Sequence, residues 1–435
     1  MIKKLVVVLI VLFTIYGYSQ EGTASPYSFY GIGSLNFKGT VENRSMGGLS
    51  IYTDSIHVNL RNPASYAGEN LATWGNESRP VKFTIGGNYS SINLKSNSGS
   101  DQAASTTFNY LAVSLPVGRF GFGFGLLPYT SVGYKLESLN EDGDILNRFT
   151  GEGGLNKVFL SLGYQITSGL SIGADVQYNF GNIQNSTIEY QYDNGIPIQH
   201  QSRERNNSDL SGLNVNFGLS YKTMINQKLE LISGLTYSPS SSLTSQNERT
   251  FSTIAINSSG QEFVLNNISE DLEASGLLET DLSLPSKLAY GIGIGKPRKW
   301  FIGAEYTTLK TSNFSNTLYS NEETAYDDSS TLSLGGFYIP EYNSYTSFLK
   351  RIVYRAGVRF ENTGLNINNQ SIKEFGISFG LGLPVGDSRL LSNANLGFEI
   401  GNRGTTNANL IEENFINFQL SLSLNDRWFQ KRKYD

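Results

Sequence analysis

The sequence contains no cysteine and only two histidines, His57 and His200, among its 435 residues. The absence of cysteine excludes a disulfide framework, a thiolate metal site and a cysteine nucleophile. His57 lies beside Asp54 and Ser55, an arrangement too local for a catalytic triad, and a hydrogen-bonded histidine is the simpler interpretation. His200 falls in a long polar stretch, where we expect it to be solvated. We therefore expect a protein that is not an enzyme and has no cofactor or metal site.

Charge and long apolar runs are also scarce. Charged residues make up 16 % of the chain, against roughly 25 % in ordinary soluble proteins. The net charge is −5 without a basic patch, so nothing indicates a nucleic-acid partner. Only the N-terminus approaches the apolar run of about 20 residues that a membrane helix needs. What is abundant is glycine (46 residues) and aromatics (12 %), a composition that favours a large all-β protein.

The N-terminus has the layout of an export signal. Lys3 and Lys4 precede an apolar run from Leu5 to Ile15, and the small residues Gly17 and Ser19 follow. This order predicts a signal peptide over residues 1–19 that is removed after export. The alternative is a membrane anchor, which the short apolar run disfavours.

Apolar and polar residues alternate in most of the chain after residue 80. Every even position of 170–180 is apolar and every odd position is polar or glycine, and 416–424 repeat the pattern. Such alternation is typical of a strand with one apolar face. The polar faces carry mostly Gly, Ser, Asn and Gln, whereas a soluble sandwich would expose many Lys and Glu. These strands therefore predict a transmembrane antiparallel β-barrel over residues 81–435.

The pattern predicts about fourteen strands, with an uncertainty of two. Their expected positions are 81–92, 107–117, 120–135, 156–165, 170–190, 211–222, 229–250, 284–296, 300–312, 331–339, 350–362, 372–384, 390–402 and 413–425. Alternate connections are mostly short, and the others are mostly long and polar, as at 93–106, 136–155, 191–210, 251–283 and 313–330. In bacterial outer-membrane barrels the short turns are periplasmic, so we expect both termini in the periplasm. Aromatic girdles are expected at strand ends, at Trp300, Phe301, Tyr338, Trp428 and Phe429.

Residues 20–80 do not alternate. They carry turn-forming residues. The segment is too long for a linker and too short for us to expect a hydrophobic core of its own. A barrel of fourteen strands encloses a lumen that must be open or plugged, so we expect this segment to be a plug, or hatch. A periplasmic tail is the alternative.

Two short motifs in this segment resemble a known family. Arg44-Ser45-Met46-Gly47-Gly48, followed by Asn62-Pro63-Ala64, is similar to the hatch of the FadL-type outer-membrane transporters of long-chain fatty acids and other hydrophobic compounds. The closing Trp428-Phe429 looks like members from Bacteroidota. The resemblance covers the whole chain in architecture but only residues 44–64 in motif.

The resemblance implies a hatch that blocks the lumen, with hydrophobic ligands bound beside it. The residues implied at this site are Arg44, Met46, Gly47, Gly48, Asn62, Pro63 and Ala64. Gly47 and Gly48 would permit positive φ, and Pro63 would give a rigid turn. Simple turn formation is the alternative role for all of these residues.

The third strand contains a candidate lateral gate through which ligand would leave sideways. Gly121, Gly123 and Gly125 alternate with phenylalanines, and Pro128 follows. Proline cannot donate to the ladder, so inside a closed wall it implies a local defect. We expect this defect, with the three glycines, to open a window, unless Pro128 already lies at the external rim.

Two functions are compatible with these features. The first is passive uptake of hydrophobic small molecules, such as long-chain fatty acids, across a bacterial outer membrane. The second is a scaffold or binding partner in outer-membrane protein secretion, a role that some Bacteroidota barrels of this type have. The expected partners are hydrophobic small molecules, outer-membrane lipid or lipopolysaccharide, and other membrane proteins.

Overall fold

Fourteen antiparallel strands form the wall of the molecule in a computed structural model. The structure describes residues 22–67, 80–140, 142–193, 195–257, 259–314, 324–385 and 392–426. The expected signal peptide at 1–19 and the girdle residues Trp428 and Phe429 lie outside these ranges.

The strands, numbered β1–β14, follow chain order around the wall. They are β1 Val81–Lys95, β2 Ser100–Val117, β3 Phe120–Pro128 with Thr130–Leu139, β4 Ile145–Gln165, β5 Leu170–Glu189, β6 His200–Met224, β7 Glu230–Ser238 with Ser241–Ile256, β8 Glu279–Leu284 with Lys287–Lys296, β9 Trp300–Leu309, β10 Thr324–Tyr326 with Ser329–Tyr338, β11 Val353–Ile367, β12 Gln370–Val385, β13 Ser392–Gly404 and β14 Glu412–Asp426. The wall closes because β1 pairs with β14, from Val81↔Asp426 to Lys95↔Glu412. The prediction of an all-β, fourteen-stranded antiparallel barrel is confirmed.

The remaining elements are short. The one α-helix among the described residues, α1, spans Val41–Arg44, and its capping box joins Thr40 and Asn43. There are also 3-10 turns and four short strands. The turns are Pro26–Phe29, Pro63–Tyr66, Thr311–Asn313, Leu349–Arg351 and Asn407–Asn409, and the strands are Ser34–Leu35, Tyr192–Asp193, Ile196–Pro197 and Glu262–Ser269.

The wall is apolar outside and polar inside. On β5, Ile172, Val176 and Tyr178 at even positions are exposed, whereas Asp175 and Asn179 at odd positions are buried. This is the reverse of a soluble protein and suits a barrel whose outer face meets lipid. Among the described residues, no helix is long and apolar enough to cross a membrane. Of the expected girdle residues, Tyr338 is exposed, but Phe301 is buried and contacts Phe337 in an interior cluster.

Several segments predicted as loops are strands. Ladder pairing continues through 100–106, 145–155, 200–210 and 262–269, so the loop assignments there were wrong. His200–Asp209 shows the reason, because this stretch is polar at nearly every position. Backbone pairing does not require an apolar face, so alternation disappears while the ladder persists. The expected short turn at 340–349 is also longer, since β10 ends at Tyr338 and β11 begins at Val353.

Candidate functional site in the barrel interior

The N-terminal segment Gly22–Ala67 contacts opposite sides of the barrel. Helix α1 packs against β12, β13 and β14, whereas the Pro63–Tyr66 turn packs against β4, β5 and β6. Val41 and Leu49 are fully buried. The segment therefore runs through the interior and carries both motifs singled out from the sequence.

The Arg44–Gly48 motif turns tightly against the inner wall. Gly47 and Gly48 both adopt positive φ, +71° and +95°. A Cβ on Gly47 would lie 2.5 Å from the backbone oxygen of Val358, so this position requires glycine both for its φ and for its closeness to the wall. The Gly47 amide donates to Ser378 Oγ at 2.9 Å, and Met46 is buried in an interior apolar cluster.

Asn62-Pro63-Ala64 forms the second contact with the wall. Asn62 caps the turn by accepting from the Ala64 amide at 3.0 Å, and its Nδ2 donates to the Leu219 carbonyl of β6 at 3.0 Å. Pro63 occupies the first turn of this 3-10 helix, where its missing N–H costs nothing. The motif is therefore a rigid corner fixed to one side of the barrel.

Glycines in the wall provide the space for this corner. A Cβ added to Gly121 would overlap the Tyr66 carbonyl, one on Gly123 would overlap the Tyr66 ring, and one on Gly173 would overlap Pro63. Gly125 instead lies against Leu111 and Phe159. Glycine inside a strand often marks a close approach of another backbone, and here that backbone is the N-terminal segment.

Buried ion pairs fasten the segment to the β11–β13 wall. Arg44 Nη2 lies 2.8 Å from Glu399 Oε2, and Glu399 Oε1 lies 2.8 Å from Arg359 Nη2. Arg359 also pairs with Glu374, which Lys38 of the segment reaches at 2.6 Å. Burial and the neighbouring Arg359 cation lower the pKa of Lys38 below its ordinary value, although Glu374 opposes them. None of the three wall residues in this network, Glu399, Arg359 and Glu374, was identified from the sequence.

A second ion pair holds the segment on another side. Arg61 Nη2 lies 2.8 Å from Glu305 Oε1 of β9. Glu305 Oε2 accepts from both the amide and the hydroxyl of Ser50 at 2.8 Å. The segment is therefore anchored by carboxylates on two separate parts of the wall.

His57 is hydrogen-bonded as expected. Its Nδ1 lies 2.7 Å from Asp54 Oδ2, and Asp54 Oδ1 accepts from the amides of Ile56 and His57. Burial acts to raise the pKa of Asp54, but the charge of His57 and its hydrogen bonds outweigh burial and hold that pKa below its ordinary value. Lys82 of β1 donates to the His57 carbonyl at 2.8 Å. These bonds stabilise a loop, and within the described chain no hydroxyl nucleophile bonds to the ring.

The wall is interrupted beside Pro128. Strand β2 pairs with β3 only from Leu111↔Leu126 to Val117↔Phe120. Beyond Tyr129, Thr130–Leu139 pairs with β4 and with the short strand Ser34–Leu35, and no ladder among the described residues joins it to Ser100–Tyr110. Pro128 lies eleven residues before the end of β3 at Leu139, so it is not at the rim.

Two cavities lie behind this interruption. One, of about 100 Å³, is lined by Ser105 of β2 and Ser131 of β3 together with the N-terminal segment. The other, of about 230 Å³, is lined by aromatic and aliphatic side chains, by serine and threonine residues, and by five cations and one carboxylate. Both share Ser34, Leu35 and Lys38 as lining. The side chains that enclose the larger cavity include Tyr27, Tyr30, Phe37, Tyr129, Phe314, Tyr326 and Leu365.

These features define a transmembrane β-barrel of fourteen strands with a chain segment inside it. The chain matches the family model BamG over residues 1–435 and belongs to that family. No curated protein matches it.

Solved structures share the fold at low identity. The toluene transporter TodX of Pseudomonas putida superposes with a TM-score of 0.60 at 16 % identity, covering 91 % of this chain and 99 % of TodX. The Ralstonia pickettii toluene transporter TbuX gives 0.57 at 16 %, covering 90 % and 100 %. A Pseudomonas aeruginosa FadL homologue gives 0.55 at 14 %, covering 89 % and 98 %. The FadL-type resemblance is thus confirmed for the fold, whereas the family of this chain is a different one.

Proposed function

We propose that this protein is an outer-membrane channel for passive uptake of hydrophobic small molecules, such as long-chain fatty acids. The observation that carries the proposal is the interruption of the β2–β3 ladder beside Pro128, together with the cavity behind it, whose lining is rich in aromatic side chains. In this proposal an apolar ligand in the cavity leaves the barrel sideways through this interruption. The fold shared with two toluene transporters and a FadL homologue supports the proposal.

In this proposal residues 20–80 act as the hatch. Arg44, Met46, Gly47 and Gly48 hold it on one side of the lumen, and Asn62-Pro63-Ala64 hold it on the other. Gly121 and Gly123 give the hatch room, and Gly125 and Pro128 belong to the strand that changes partners at the opening. Ligand is released when β3 and the short strand Ser34–Leu35 move apart and open a path out of the barrel.

We place both termini in the periplasm. The connections at that end include three short turns, which are 118–119, 166–169 and 297–299. Strands at the other end extend far beyond the segments whose outer face is apolar, as bacterial barrels do on the external side.

Blocking the opening tests the proposal. Because the chain has no cysteine, Ser105→Cys with Ser131→Cys places a unique pair of thiols across the smaller cavity. A reducible bifunctional thiol reagent should stop uptake of a fluorescent fatty acid in barrel-containing liposomes, and reduction should restore it. Each single cysteine variant is the control, and uptake unaffected by the cross-link would refute a lateral path.

Replacement of Pro128 is a second test of the same path. Pro128→Val restores an N–H donor and should lower uptake while the barrel still assembles, as judged by heat-modifiable electrophoretic mobility. Pro116→Val is the matched control, since Pro116 lies inside the paired part of β2, opposite Gly121. Equal uptake by both variants would contradict the role given to Pro128.

A scaffold role is the second candidate function. Strand Glu262–Ser269 pairs with β7 and is exposed along its entire length, including Phe263, Leu265 and Ile268. Apolar side chains on an exposed strand are a common feature of protein-binding surfaces. Membership in a family separate from the transporters, and a lumen crossed by buried ion pairs, are compatible with this role.

The two functions predict different molecules in the purified protein. Mild solubilisation followed by mass spectrometry should recover a hydrophobic small molecule if the barrel transports. If it is a scaffold, a protein should be recovered in stoichiometric amount and lost in Leu265→Asp. Loss of the partner without loss of uptake would separate the roles.

A further inference from the structure

A shallow apolar concavity of about 900 Å³ lies on the outer surface of the wall between β9 and β14. It exists because one row of paired residues contains two very small members. Gly336 and Ala356 stand side by side in this row, between the larger Ile302 and Phe379. The surface therefore recedes at these two positions, whereas the side chains around them project into lipid.

The next row of paired residues lies at the ends of the strands and contacts the loops that join them, which are rich in basic residues. Tyr338 and Tyr354 face each other there and line the concavity. Tyr354 Oη donates to the Leu349 carbonyl at 3.2 Å, and Lys299 Nζ lies 5.3 Å from the centroid of the Tyr338 ring. Lys299 is thus held beside the edge of the concavity, and the Tyr354 hydrogen bond brings the Leu349 end of the basic connection to the same edge.

Four cations gather in these connections, and one carboxylate, Glu341, accompanies them. They are Arg298, Lys299, Lys350 and Arg351. Lys350 pairs with Glu341 at 3.1 Å on the surface, where such a pair is weak. Arg351 has a buried Nε without a hydrogen-bond partner in the described structure, and its guanidinium lies 5.5 Å from the Phe348 ring centroid.

We propose that this surface binds one phospholipid of the leaflet at the turn end of the barrel. Its acyl chain lies on Gly336 and Ala356, and its phosphate is held by Lys350 and Arg351. The proposal rests on the membrane placement given above and not on transport. A phospholipid combines the two chemistries that the surface offers, an apolar chain within the bilayer and an anion at its boundary.

A strand of a partner protein fits this surface less well. Strands β10, β11 and β12 are paired on both sides along this stretch. No backbone edge is therefore free to add a strand, and only side-chain contacts remain for a protein partner.

The test has two measurements, both by native mass spectrometry. The first is the phospholipid retained by the barrel after purification in mild detergent. The second is the rebinding of dilauroyl phosphatidylglycerol to the delipidated barrel. Ala356→Phe fills the recess, and Ala174→Phe, on the outer face of β5, is its control. Lys350→Gln with Arg351→Gln removes the anion contacts, and Lys228→Gln, in another turn at the same end, is its control.

We expect one phospholipid per wild-type barrel and roughly tenfold weaker binding in both test variants, which corresponds to about 1.4 kcal/mol. The control variants should bind as the wild type does. Equal binding in test and control variants would overturn the proposal, as would a protein bound in place of lipid. If Ala356→Phe fails to fold, the Lys350→Gln/Arg351→Gln variant tests the proposal by itself, because its substitutions lie in the loop between β10 and β11. Phospholipid binding is measured independently of uptake, so failure of the uptake tests would not contradict this proposal.

Discussion

Glu399→Gln tests whether ion pairs inside the barrel hold the N-terminal segment in place. Glu399 is 4 % exposed, and its two oxygens each lie 2.8 Å from an arginine, Arg44 of the segment and Arg359 of the wall. Arg359 keeps Glu374 and Glu361 as partners in the variant. Arg44 has no other carboxylate partner in the described structure and would become a buried, unpaired cation.

Breaking a buried pair in this way costs about 3 kcal/mol or more. Since 1.4 kcal/mol is a factor of ten in an equilibrium constant, local opening of the segment should increase roughly 150-fold. Hydrogen exchange of amides in residues 41–49, followed by mass spectrometry, reports this opening directly. The Gly47 amide is a specific probe because it donates to Ser378.

The control is Glu341→Gln, which removes a surface pair with Lys350 that is about half exposed on both sides. Such a pair contributes under about 1 kcal/mol, and exchange in 41–49 should not change. If Glu399→Gln also exchanges at the wild-type rate while the barrel remains folded, the ion pair does not hold the segment and the reasoning is refuted.

Three further substitutions examine other contacts of the segment. Gly123→Val should displace the Tyr66 ring, lower the unfolding temperature and be rescued by Tyr66→Ala, because a Cβ at 123 overlaps that ring; absence of rescue would contradict this packing. Glu305→Gln should cost about 2 kcal/mol in segment docking, measured by exchange, because it removes the carboxylate partner of the partly buried Arg61. Thr40→Ala should cost about 1 kcal/mol in the same assay, the usual value of an N-cap, and an effect as large as that of Glu305→Gln would show that the cap has another role.

The barrel could be predicted because its signal is local and repeated. Alternation in 170–180 is a property of neighbouring residues, and it recurs often enough to count strands. The prediction was less accurate where the strands rise beyond lipid, as at His200–Asp209. There both faces are polar and only backbone pairing maintains the strand.

The site was predicted in outline only. Pro128 could be singled out from its chemistry, since a residue without an N–H cannot donate to a neighbouring strand. The partner of Gly121 and Gly123 could not be inferred, because a glycine indicates that something approaches closely without indicating what. Phe301 was placed on the wrong face, since a one-residue change of register at a strand end reverses inside and outside.

Composition and alternation alone therefore account for an all-β barrel with an apolar exterior. They do so because lipid imposes a two-residue period on every strand that crosses it. Folding decided which charges meet. Arg44 and Glu399 are 355 positions apart in the chain, and their pairing depends on closure of the wall around the segment, which no local pattern encodes.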